Sequence, residues 1–179
     1  MHFLLIIILH LSNCILKKSM GFEIERKFLV RGDYKSNSFK ALSIKQGYLS
    51  LSGVSVVRVR VKGEKAYLTV KSSVVTGSIK RNEWEYEIPV YDAEEMLKLC
   101  EEGLIDKTRY LVNVGNHVFE VDEFYGENEG LLIAEVELES EDEQFEKPEW
   151  LGEEVTGNVR YYNSFLSIHP YKKWNSLND

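Results

Sequence analysis

From Phe22 onward the apolar and polar residues of this chain alternate with a period of two, in one segment after another. That period marks β-strands, because successive side chains leave a strand on opposite faces. It predicts strands over 22–30, 44–51, 55–62, 65–72, 80–88, 105–113, 116–124 and 130–139. The separators are short and turn-like: Ser52-Gly53, Lys62-Gly63-Glu64, Thr76-Gly77-Ser78, Val114-Gly115-Asn116 and Gly126-Glu127-Asn128. Short separators join antiparallel neighbours, since parallel pairs need a long crossover. Eight strands suffice to close a barrel around side chains and one small ligand. The expected fold is mainly β (α+β), a closed eight-stranded antiparallel barrel with a few helices packed outside.

Helical period is confined to three places. Asp92 is placed to N-cap a helix over 93–101 that presents Met96, Leu97 and Cys100 on one face and ends at Gly103. A Glu-rich stretch near 140–147 is the second. The third runs over 158–169, capped by Thr156 or Asn158, with Tyr162, Phe165, Leu166 and His169 at helical spacing.

With 179 residues the chain suits one domain, read as residues 20–179. Residues 1–19 read as a mis-called N-terminal extension or a signal-like segment. The apolar run from Phe3 to Leu11, broken by His10, is too short to span a bilayer, and Lys17 and Lys18 follow it instead of preceding it. With Met20 as the start the expected location is cytoplasmic; an exported or anchored form stays open. No membrane association is expected of residues 20–179. The net charge of -7 argues against nucleic-acid binding, which needs clustered cations, yet leaves room for a local cationic pocket. Cys14 and Cys100 have neither a disulfide framework nor zinc-ligand spacing.

The strands divide their faces sharply. Glu23, Glu25 and Lys27 oppose Phe22, Ile24 and Phe28. Arg58, Arg60 and Lys62 oppose Val57, Val59 and Val61, and Thr69 and Lys71 oppose Leu68 and Val70. Arg81, Glu83, Glu85 and Glu87 oppose Trp84, Tyr86 and Ile88. Lys107 and Arg109 oppose Thr108, Tyr110 and Val112; Glu120 and Asp122 oppose Phe119 and Val121; Glu135 and Glu137 oppose Ala134, Val136 and Leu138. For any single strand, the plain explanation is a wet face of an antiparallel sheet. Taken together, the charges are sorted into like-signed pairs with few Ser, Asn or Gln among them. A barrel interior holding both signs suits a polyphosphate: Arg and Lys hold phosphate oxygens, and carboxylates hold a hard cation such as Mg²⁺ or Mn²⁺ that bridges to them.

These residues also resemble a known family. Glu23-Ile24-Glu25-Arg26-Lys27 is similar to the E-x-E-x-K signature that opens the CYTH domain, or triphosphate tunnel metalloenzymes. It is followed in order by Gln46-Gly47-Tyr48-Leu49, Arg58-x-Arg60, Thr69-x-Lys71, Arg81-x-Glu83-x-Glu85, Lys107-Thr108-Arg109-Tyr110, Glu120-x-Asp122, Ala134-Glu135-Val136-Glu137, and Glu154-Val155-Thr156 with Arg160-Tyr161. The chain looks most like the small bacterial inorganic triphosphatases. The resemblance implies an eight-stranded tunnel that hydrolyses inorganic triphosphate with a metal-activated water. It implies metal ligands Glu23, Glu25, Glu135 and Glu137, with Glu83, Glu85, Glu120 and Asp122 serving a second metal or its water. Lys27, Arg58, Arg60, Lys71, Arg81, Lys107 and Arg109 would hold the phosphate chain. Lys27, Tyr48 and Lys107 are the candidate catalytic residues, with a Tyr48–Lys27 hydrogen bond orienting the nucleophile. The helix from Asn158 would close one mouth.

Three alternatives stay open: an adenylate cyclase of the class IV type, a nucleoside or thiamine triphosphatase, and a non-catalytic polyphosphate- or nucleotide-binding module. The partner in each case is a small phosphorylated molecule, and assembly as a homodimer is undecided. Arg26, on the apolar face, is expected to pair at the surface. Lys62 and Glu87 are expected in solvent at strand ends, and His117 and His169 without partners.

Overall fold

The computed structural model describes residues 24–52, 55–72, 83–100 and 103–174. The calls on residues 1–19, Glu23 and Arg81 lie outside them.

Nine strands form one sheet: β1 (Ile24–Val30), β2 (Ser38–Leu51), β3 (Ser55–Lys62), β4 (Lys65–Ser72), β5 (Glu83–Ile88), β6 (Ile105–Val114), β7 (His117–Phe124), β8 (Leu132–Leu138) and β9 (Leu151–Glu154). Their order is β5-β4-β3-β2-β6-β7-β8-β1-β9. All eight pairings are antiparallel, with Glu25 opposite Glu137, Tyr48 opposite Arg58 and Lys107 opposite Phe124. The expected closed eight-stranded barrel is corrected on two counts. The sheet has a ninth strand, and among the described residues β5 and β9 are edges that do not pair with each other. β9 escaped notice because Leu-Gly-Glu-Glu is too short to alternate. β2 also starts six residues earlier than predicted, at Ser38, since a register shift between Ser38 and Lys40 breaks the period there.

The apolar faces are covered from outside. Helix α1 (Val90–Leu97) packs Ala93 and Leu97 on Val59 and Ala66, so Val59, which alternates with Arg58 and Arg60, is buried on the reverse side of the sheet. The helix starts after Pro89, whose carbonyl accepts from Ala93 N at 3.1 Å. Proline has no N–H to lose and its φ is already helical, so it takes the role expected of Asp92. Asp92 lies inside the first turn, where a carboxylate suits the helix dipole. Gly47 makes α1's approach possible, since a Cβ there would lie 2.5 Å from Cys100 Sγ.

The larger core lies over β1, β6, β7 and β8: Phe28, Val112, Phe119, Val121, Val136 and Leu138, closed by Tyr34, Phe145 and Trp150. Each such side chain contributes about 1.5–3 kcal/mol when fully buried. The Glu-rich stretch forms no helix. Its like charges repel and Pro148 follows, while Phe145 is drawn onto Phe28 and Phe119 at centroid distances of 5.9 and 6.0 Å. Glu143 holds the segment by accepting from Glu139 N at 2.5 Å and pairing with His117 Nε2 at 2.8 Å, a structural contact for His117.

Asn158 caps a single 3-10 turn over Val159–Tyr161 by accepting from Arg160 N, and helix α2 (Asn163–Ile168) follows. Leu166 of α2 joins Leu29, Ile105, Phe124 and Ile133 in a separate apolar cluster. Those four strand residues share the face of Lys27, Lys107, Asp122 and Glu135, so α2 covers the interior face at one end of the strands.

Candidate functional site

The face that carries the charges is not a wet face. Lys107 and Asp122 have side-chain exposures of 2% and 1%, and Gln46 and Thr69 are equally hidden. Taking such groups out of water costs several kcal/mol apiece unless partners replace the water, and the sheet supplies those partners in two clusters.

The first is built on β6, β7, β8 and β1. Arg109 and Asp122 are register partners on β6 and β7. The guanidinium grips the carboxylate through both oxygens, Nε to Oδ1 and Nη2 to Oδ2, each at 2.7 Å. Its remaining donors reach Glu120 and, across one strand, Glu135 Oε2 at 2.9 Å. Lys107 Nζ donates to Asp122 Oδ2 at 2.5 Å. Lys27 Nζ donates to Glu135 and lies 3.6 Å from Glu25 Oε1. These contacts set the titration. Burial pushes the Lys107 ammonium down from its ordinary value, with Asp122 opposing. Lys27, Arg109 and Lys107 hold the Glu135 carboxyl far below the usual range despite its burial. Glu25, at 44% exposure the most open of the group, is still pushed up to about 7, first by partial burial and then by the Glu135 carboxylate. Glu137 faces Glu25 across the β1–β8 pairing.

The second cluster is built on β3, β4 and β5. Arg58 and Arg60 both donate through Nη2 to Glu85 Oε2, at 3.3 and 3.1 Å, and Thr69 Oγ1 donates to the same oxygen at 2.9 Å. Lys71 pairs with Glu83 at 2.9 Å. Lys62, expected in solvent, is half-buried on this face, and burial pushes its ammonium down. Glu87 does pair in the open, with Lys65. This wall is richer in cations, and the first cluster is richer in carboxylates. Burial first, then Arg58, push the Arg60 guanidinium down, and Arg109 and Glu120 on the same face of β6 and β7 act on it as well. Three buried groups have no hydrogen-bond partner among the described residues: Tyr34 Oη in the outer core, and Arg58 Nε and Arg60 Nε on this face. An unmet buried donor is costly, so the two arginine donors are free to take an acceptor from outside the chain.

Tyr48 departs from expectation. Its hydroxyl accepts from Gln46 Nε2 at 3.2 Å, while Lys27 Nζ donates to Glu135 and not to Tyr48 as anticipated. Burial pushes the Tyr48 phenol up to about 12, so it stays protonated near neutrality and acts as a donor. Arg26 pairs at the surface as expected, donating Nε to Glu154 Oε1 at 2.7 Å. Thr156, read as a possible cap of the last helix, has a different role, since Asn158 takes the cap. It fixes the backbone under Lys27: Lys27 N donates to Thr156 Oγ1 at 3.0 Å, and Val155 N donates to Lys27 O at 2.8 Å. β9 and its following turn therefore clamp the strand that carries the E-x-E-x-K residues.

The predicted cation ligands Glu25, Glu135 and Glu137 lie on the paired strands β1 and β8, with Glu135 held by Lys27 and Arg109. Burial first and the Glu135 carboxylate second drive Glu25 toward protonation, and a cation would relieve the repulsion between the carboxylates in place of a proton. The other predicted ligands are engaged elsewhere: Glu120 and Asp122 by Arg109, Glu85 by the arginine pair, Glu83 by Lys71. Among the described residues no three acidic or imidazole side chains already converge on one point.

The family profile of the CYTH domain matches residues 21–164. A protein of Acetivibrio thermocellus named inorganic triphosphatase is 50% identical over 156 residues, covering 87% of this chain and 99% of that protein. A second of that name, from Nitrosomonas europaea, is 37% identical over 150 residues, covering 82% and 97%. The crystal structure of the inorganic triphosphatase NE1496 superposes with a TM-score of 0.66 at 35% identity, covering 83% of this chain and 96% of that one.

Proposed function

This chain belongs to the CYTH domain family, and from that premise we propose that its charged interior binds and hydrolyses inorganic triphosphate. The observation that carries the reading is the pair of buried, unpartnered donors, Arg58 Nε and Arg60 Nε, on the same sheet face as the hidden carboxylates Asp122 and Glu135. A site meant only to hold an anion would need no carboxylates.

Arg58, Arg60, Lys62 and Lys71 take the phosphate oxygens along one wall. The Nε donors of the arginines are satisfied by substrate, while their Nη2 groups keep Glu85. Lys27 and Lys107 present ammonium groups from β1 and β6, oriented by the Glu135 and Asp122 carboxylates. Tyr48 offers its proton to a phosphate oxygen, since its acceptor side is taken by Gln46. Water adds to a terminal phosphorus, the bridging P–O bond breaks, and phosphate and pyrophosphate leave. The cations stabilise charge on the equatorial and leaving oxygens, the largest contribution such a site can make. Glu25, Glu135 and Glu137 would hold Mg²⁺ or Mn²⁺, which supplies charge neutralisation and Lewis acidity when bound. Among the described residues no helix is long and apolar enough to cross a membrane, and a cytoplasmic location belongs to the same proposal.

The test offers tripolyphosphate, ATP, thiamine triphosphate and pyrophosphate with Mg²⁺ or Mn²⁺, and measures phosphate, pyrophosphate and cyclic AMP. Phosphate release fastest from tripolyphosphate is expected. Cyclic AMP from ATP with tripolyphosphate left intact would make the protein a cyclase, and binding without turnover would make it a polyphosphate-binding module.

A further inference from the structure

The start of α2 enters the charged interior at two points. Asn163 Oδ1 lies 3.3 Å from Lys107 Nζ, and the Tyr162 ring centroid lies 5.6 Å from Lys27 Nζ. Two consecutive residues thus touch two ammonium groups carried by strands that β7 and β8 separate. Neither residue belongs to the charged pattern of the strands.

The contact to Lys107 is the more specific. That ammonium has three N–H donors and is enclosed. Asp122 Oδ2 takes one donor at 2.5 Å, Asn163 Oδ1 is in reach of a second, and the Phe124 ring lies 5.1 Å away on another side. With two donors directed, the third has little choice of direction. The chemistry of the second acceptor matters as much as its position. Asp122 is already shared with Arg109, and a further carboxylate would cancel the charge that Lys107 is to show to a phosphate. An amide oxygen directs the ammonium without cancelling it.

The helix that delivers Asn163 is firmly seated. Leu166 is fully buried, and Gly103 N donates to Ser167 O at 3.0 Å. A Cβ on Gly103 would lie 2.7 Å from that carbonyl oxygen, so the approach leaves no room for a side chain.

We infer that Asn163 is a positioning residue for triphosphate binding, holding the Lys107 ammonium toward the phosphate chain through a neutral acceptor. The inference rests on the proposed function of the interior. Asn163→Leu should raise KM for tripolyphosphate roughly ten-fold with little change in kcat, the size expected for one hydrogen bond to a charged group. Calorimetric binding of tripolyphosphate in a chelator should weaken by a similar factor. In a Lys107→Met background the same substitution should change either quantity by less than about two-fold, because a pairwise effect vanishes with its partner. Asn163→Asp, which keeps the side-chain shape, should bind the anion more weakly than Asn163→Leu. Thermal unfolding of each variant establishes that it is folded. A loss that persists undiminished beside Lys107→Met, or an Asp variant that binds like the native protein, would show that Asn163 serves only to pack α2. A native protein that neither binds nor hydrolyses tripolyphosphate would remove the proposed function and this inference together.

Discussion

Replacing Asp122 by Asn removes a negative charge that is 1% exposed and that holds Arg109 through both oxygens and Lys107 through one. Breaking a buried pair by deleting one member costs about 3–5 kcal/mol, because the other member is left charged without compensation. Three features select the lower end. Arg109 keeps Glu120 and Glu135; Lys107, already pushed down by burial, can give up its proton; and the amide keeps the shape and one acceptor. The expected loss is about 3 kcal/mol, or roughly 6–12 °C in Tm for a domain of this size. Glu25→Gln makes the contrast. Its side chain is 44% exposed, so the substitution should cost no more than about 0.5 kcal/mol of stability, while hydrolysis and its dependence on divalent metal are lost. Urea unfolding followed by tryptophan fluorescence, without metal, measures both. An Asp122→Asn variant within about 0.5 kcal/mol of native, or two variants destabilised alike, would refute this division between a carboxylate that builds the site and one that serves the metal.

Other outcomes follow from single contacts. Thr156→Ala should cost about 1 kcal/mol by freeing Lys27 N, with Thr156→Ser restoring most of it in the same urea assay. Gly47→Ala should cost about 1–3 kcal/mol, because its Cβ would meet Cys100 Sγ and Leu104 Cδ2 at 2.5 and 2.7 Å; adding Cys100→Ala should recover part of the loss. The Glu25 carboxyl, raised from 4.5 to about 7, gives the folded metal-free protein a proton that the unfolded chain binds less tightly. Its stabilisation is complete below the unfolded value and disappears as pH rises through the folded one. A Tm series across this window should therefore fall more steeply for the native protein than for Glu25→Gln. A steeper fall in the variant would reverse the assignment.

Features that repeat at short range were legible in the sequence. Residues two apart share a strand face whatever the rest of the molecule does, so the opposition of Arg58 and Arg60 to Val57 and Val59 could be read directly. The same pattern does not say whether the charged face is wet or enclosed. That depends on α1, Phe145 and Trp150 covering the valine and phenylalanine faces, which are long-range facts. β9 went unread because four residues cannot show a period, and the end-to-end order of the sheet because pairing is not written in any one segment. Tyr48 was assigned to Lys27 by resemblance, whereas Gln46, two residues away on the same face, was the local partner available. Asn163 carried no signal at all, since its meaning comes from a lysine 56 residues earlier.

The pairing of β1 with β8 has a consequence for how the protein is made. Lys27 meets Glu135 across a separation of 108 residues, whereas β2 to β5 and β6 to β8 can pair with neighbours nearly as they appear. During vectorial synthesis β1 must wait, unpaired, until β8 has left the ribosome, and β9 then closes over it. Contacts of such separation are slow to form and leave strand edges exposed meanwhile. The strand bearing Glu25 and Lys27 is thus the first made and among the last placed, so competence to turn over substrate should lag behind the bulk of sheet formation in a refolding time course.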